Sequence, residues 1–196
     1  GSATKIGGVV GVNNGSIQNV TFSGTLEATD QVGGLVGYNA VTGRVISCTS
    51  QGYIRATKVV GGVVGKNEGV VTGCINKASV NTQIPDDCIN LEDITFTKLT
   101  TEDTKISGSD IGGVVGSSSG VIRGCKNEGD VGYQHTGYNV GGVAGSSSGF
   151  MAECENFGFV QARKEGGGIL GQMEPNNVLV YSEDTLQKLE KETKTL

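Results

Sequence analysis

Five cysteines and a single histidine are the side chains here best suited to covalent or metal chemistry. Cys48, Cys74, Cys125 and Cys154 share one context, each three places after an apolar residue: Val45, Val71, Ile122 and Met151. The first copy of that context has Val20 in the cysteine's place. A valine stand-in marks a place that asks for a small apolar group, so these thiols are expected to serve as packing. If the copies stack as strands, their Cβ atoms lie about 4.8 Å apart, whereas a disulfide wants roughly 3.5–4.5 Å. A zinc centre needs four convergent ligands, and no histidine joins the series. Free, buried thiols without metal are the expectation, with Cys88 standing outside the series.

His135 sits in Gly132-Tyr133-Gln134-His135-Thr136-Gly137-Tyr138, with no acid or nucleophile beside it to make a catalytic pair. It reads as a surface turn residue. Acidic groups gather elsewhere. From Gln83 to Asp110 seven acids and two lysines give a net charge of −5, which is the net charge of the whole chain. Asp86, Asp87, Glu92, Asp93, Glu102 and Asp103, with Phe96 as an apolar contact, are therefore the candidate binding residues. Such a surface attracts basic partners or a divalent cation, screened over ~8 Å at physiological salt. Calcium at Asp86 and Asp87 is the first cation to test. No resident cofactor or metal is expected, and an acidic chain is not a nucleic-acid binder. No run of 18 or more apolar residues is present to span a membrane.

These residues are positioned by a repeat. Six blocks follow the order apolar, Gly, Gly, apolar, apolar, Gly, starting at Ile6, Val32, Val60, Ile111, Val140 and Gly166, where the sixth has glycine in its first place. A second segment carries Ile17, Val45, Val71, Ile122 and Met151, then the cysteine series. A third carries Leu26, Ile54, Val80, Val131 and Val160, followed two places on by Ala28, Ala56, Thr82, Tyr133 and Ala162. A spacing of two is strand periodicity. Each repeat thus predicts three short strands, and the blocks predict parallel, adjacent strands near 8–11, 34–37, 62–65, 113–116, 142–145 and 168–171. The expected fold is all-β: a parallel β-helix of five to six coils, right-handed by coil length. Inward ladders of valine and isoleucine form the core. Amide ladders are expected at Asn13, Asn39 and Asn67 and at Asn76, Asn127 and Asn156.

The blocks leave one ambiguity. With strict alternation, the fourth places (Val9, Leu35, Val63, Val114, Val143, Ile169) point outward as a flat apolar strip, a contact surface. Alternatively a bulge turns them inward. The apolar residues of the insertion at 83–109, namely Ile89, Leu91, Ile94, Phe96 and Leu99, are expected to pack on the stack, against that strip if it exists.

The glycine blocks resemble the GLUG motif, a repeat of large bacterial surface and secreted proteins, some immunoglobulin A peptidases among them. The resemblance covers residues 5 to about 172. It implies a β-helical repeat region and an exported, cell-surface location. It does not carry peptidase activity, because His-Glu-x-x-His is absent from this sequence. The blocks are also not phosphate loops, since none ends in Gly-Lys-Ser/Thr, and they lack the aspartate of calcium-binding nonapeptide repeats.

Residues 1–4 read as a leader or tag scar, 5–176 as the β-helix, and 177–196 as a final strand near Val178–Tyr181 followed by the start of a helix. Ser182 is its candidate cap, and Leu186, Leu189, Thr193 and Leu196 fall on a heptad-like seam in a 3-4-3 spacing. The function expected is a non-catalytic structural or adhesive module with a protein or glycan partner, self-associating through coil ends or the C-terminal helix. The rival is a carbohydrate-active β-helix enzyme, a polysaccharide lyase or hydrolase. An ice-binding face is disfavoured by the lack of a regular threonine array.

Overall fold

A computed structural model describes residues 3–83 and 108–175; the tail at 177–196 and most of the insertion lie outside the described residues. Within them the chain is all-β, and every strand pairing is parallel, joining coil to coil in one register. Three sheets form the walls. One has six strands: Val10–Asn13, Val36–Asn39, Val64–Asn67, Val115–Ser118, Ala144–Ser147 and Leu170–Met173. A second has five: Ser16–Gln18, Arg44–Ile46, Val70–Thr72, Val121–Arg123 and Phe150–Ala152. The third, ten-stranded, takes the remaining segments; in the first two coils these run unbroken as Thr21–Gly33 and Thr49–Gly61. Val60 pairs with Ile111, so the long interval between their blocks advances the stack by one coil.

The glycine block is a corner, which corrects the expectation of a strand at 8–11 and its equivalents. Strands end on the block's second residue and resume on its fifth, as in Thr4–Gly7 and Val10–Asn13. At the corner two successive N–H groups share one carbonyl: Val63 and Val64 both donate to the Val114 O, at 2.9 Å each. Two residues opposing one is a bulge, and a bulge breaks the in–out alternation. The fourth place therefore turns inward. Leu35, Val63, Val114 and Val143 are fully buried, and no outward apolar strip exists for the insertion to cover. Val9 and Ile169 are 44% and 39% exposed because they belong to the end coils.

The corner also divides the core. Fourth and fifth places pack with Val45, Val71, Ile122 and the cysteines in one lobe. First places pack with Ile54, Val80 and Val131 in the other. Between the lobes, the carboxamides of Asn76, Asn127 and Asn156 reach across to the third-place glycines, where a Cβ on Gly62, Gly113 or Gly142 would overlap them. The amides also bond along the axis, Asn76 Nδ2 to Asn127 Oδ1 and Asn127 Nδ2 to Asn156 Oδ1, both at 2.8 Å. The other expected ladder is present too, with Asn13 donating to Asn39 and Asn39 to Asn67 at 2.8 Å. It then continues to the Ser118 Oγ at 3.0 Å.

The third segment is shorter than periodicity implies. In coils three to five it shrinks to Ser79–Val80 and the single bridges at Val131 and Val160. Tyr133, expected on the ladder with Ala56, is 37% exposed in a turn, because the chain leaves the wall at Gly132, where φ is +79°.

Every coil holds the residue before its block in left-handed backbone: Lys5, Gln31, Val59, Asp110, Asn139 and Glu165, with φ between 43° and 58°. For β-branched Val59 this conformation is strained. Val59→Asn relieves it and should raise stability by about 1 kcal/mol in urea unfolding.

Candidate functional site at the root of the insertion

The insertion leaves the stack after Gln83, and the described chain resumes at Gly108. Both residues line one cleft of about 100 Å³ with Glu27, Arg55, Thr57, Asn81 and Thr136, over a floor of Ala28, Ala56 and Ile111. The repeat places the rim. Glu27 and Arg55 follow the inward ladder residues Leu26 and Ile54 by one, so both face out, paired on adjacent coils. Their ion pair is 3.4 Å, with the Arg55 side chain 23% exposed and that of Glu27 63%. Asn81 has φ of +51°, and there the backbone turns off the wall. Its carboxamide takes over the lost strand pairing, accepting from the Ala56 N–H at 2.9 Å and donating to the Ala56 O at 2.8 Å. The wall thus ends at the insertion without leaving Ala56 unsatisfied.

On the far rim the exposed 133–137 turn is closed by the Thr136 N–H and Oγ1 donating to the Tyr133 O, at 3.1 and 3.0 Å. His135 is in this turn, exposed, as expected. The Tyr53 hydroxyl is buried and finds no hydrogen-bond partner among the described residues; burial pushes its pKa up. A carboxylate, a guanidinium, amides and hydroxyls over an apolar floor can hold a small polar group by hydrogen bonds. Among the described residues no three histidine, cysteine or acidic side chains converge as metal ligands.

Asp86, Asp87, Glu92, Asp93, Phe96, Glu102 and Asp103 all lie outside the described residues. The structure supplies their two attachment points, which share this one cleft. Glu27, Arg55, Asn81 and Thr136 were missed from sequence. The first two carried a signal, opposite charges at equivalent outward places of neighbouring coils; Asn81 and Thr136 carried none.

The cysteine series forms the expected ladder. Cys48, Cys74 and Cys125 are buried and Cys154 is half-buried, all as free thiols. Each Sγ donates to the carbonyl two residues before it, Cys48 to Ile46 at 3.1 Å and Cys154 to Ala152 at 3.2 Å. Cys74 is pushed well up in pKa by its thiol neighbours Cys125 and Cys48 and by burial, so it stays protonated and unreactive.

With the repeat geometry in place, the sequence model of the GLUG motif matches residues 2–27. The first coil carries a GLUG motif. The match spans the first glycine block and the first coil's walls, and sheet register carries that pattern to later coils: Ile6 pairs with Val32, and Val60 with Ile111. The GLUG glycines are thereby explained as the corner and as the surface against which the amide ladder rests. Neither the curated proteins nor the solved structures compared with the chain contain a match.

Proposed function

We propose that the chain is a structural repeat module of a larger, exported bacterial surface protein, is non-catalytic, and displays its acidic insertion to a basic protein or a glycan. The observation that carries this reading is the shared cleft of Gln83 and Gly108: a 51-residue interval advances the stack by one coil, and its extra length is anchored at one point on one wall. Each coil's inward places are committed to core and ladders. The insertion is free of that constraint, and it carries the net charge. Burial of Cys48, Cys74 and Cys125 suits an oxidising compartment, where exposed thiols would pair.

The test replaces residues 84–107 with a short Gly-Ser linker. The melting temperature should hold while binding to a panel of glycans and basic proteins is lost. Equal binding by both forms would move the site off the insertion. Turnover of any polysaccharide by the intact chain would favour the lyase or hydrolase instead.

A further inference from the structure

The three walls present different outer faces. On the six-stranded wall an outward row runs Tyr38, Lys66, Ser117 and Ser146. The ten-stranded wall carries ion pairs between coils, Glu27 with Arg55 and Lys77 with Glu128. The five-stranded wall has apolar groups outside as well as inside. One of its outward rows is Ser16, Arg44, Val70, Val121 and Phe150, and the next is Gln18, Ile46, Thr72, Arg123 and Ala152. Arg44 is exposed, Phe150 is 59% exposed, and Ile46, Val70, Val121 and Ala152 are half-buried. The charge of Arg123 is matched by Glu153, to which its Nε and Nη2 donate at 3.0 and 2.7 Å. Adjacent apolar groups on a flat outer wall mark a contact surface.

We propose that this face docks a second copy of the chain, about a two-fold axis that runs along the strands between the third and fourth coils. The order of residues along the rows argues for that occupant. Such an axis sets the second coil against the partner's fifth and the third against the partner's fourth. Arg44 then meets the partner subunit's Phe150, a cation over an aromatic face. Val70 meets the partner subunit's Val121, apolar on apolar. In the second row Ile46 meets the partner subunit's Ala152, and Thr72 meets the partner subunit's Arg123. The rotation makes each contact twice, so the face is complementary to itself, and in these two rows no like charges oppose one another. Two such walls pack about 10 Å apart, as the sheets of a sandwich do. Four coils at about 4.8 Å each make a short face, so the association is weak. Glu27 and Arg55, at the root of the insertion, belong to the ten-stranded wall and stay clear of the contact. On the display reading above, a dimer offers two insertions at once, and a multivalent partner gains avidity.

The experiment is sedimentation equilibrium of the full chain at concentrations up to about 1 mM, the range that reads weak dimers. The wild type should show a monomer–dimer equilibrium. Val70→Glu and Val121→Lys should each weaken it about tenfold or more, because each buries a lone charge against a valine. An equimolar mixture of the two variants should dimerise again, since the new carboxylate then faces the new ammonium across the axis. A wild type that stays monomeric throughout overturns the proposal. So does a dimer that neither substitution weakens, which assigns self-association to another surface, and so does a mixture that fails to recover. If either variant unfolds, Phe150→Ser replaces it, because that side chain already stands largely in solvent in the folded chain. It too should weaken the dimer, and a dimer it leaves unchanged overturns the proposal.

Discussion

Gly113→Ala is expected to be among the most damaging single substitutions in the chain, lowering stability by about 3 kcal/mol in urea unfolding. The added Cβ would overlap the Asn127 carboxamide and the Gly142 carbonyl of the next coil. Neither can retreat, because the amide is fixed by bonds to Asn76 and Asn156 and the carbonyl belongs to a paired wall. Gly15→Ala is the control. A Cβ at Gly15 meets nothing within 4 Å, and the change should be neutral. Equal losses at the two positions would mean that intrinsic alanine-versus-glycine preference, and not the contact between lobes, sets the cost.

Removing the amide itself should cost as much or more. Asn127 accepts from Asn76 and from the Gly129 N–H, and donates to the Gly129 O and to Asn156. Asn127→Ala strands several of these buried groups at once, for a loss of about 4 kcal/mol. The damage should spread along the axis: hydrogen exchange should quicken at Ala78 and Gly158, whose backbones are held by the neighbouring rungs. A loss confined to coil four would show that the rungs act independently.

The stack was legible in the sequence because its signals are sums over copies. One glycine block says little, but six in register specify the coil, the cysteine ladder and both asparagine ladders. What stayed hidden were features that alternation cannot express. The left-handed residue before each block is Lys, Gln, Val, Asp, Asn or Glu, with no common chemistry to mark it. The bulge that turns Val63 and Val114 inward was one of two readings the sequence left open; what decides it, two N–H groups sharing one carbonyl, is a backbone event with no side-chain signature. The root of the insertion was half visible. Glu27 and Arg55 were readable as a cross-coil pair. Asn81 was not, since its role depends on the strand pairing lost beside Ala56.

The register of the stack is tested most directly by one distance. Gln18, Ile46, Thr72, Arg123 and Ala152 occupy one outward row on consecutive coils. Spin labels at Gln18 and Ala152 should therefore lie four strand spacings apart, about 19 Å between backbones. Agreement places the insertion outside the stack, as a one-coil advance across 51 residues requires. A distance nearer 24 Å, one further strand spacing, would mean that the insertion forms a coil of its own and would contradict the account.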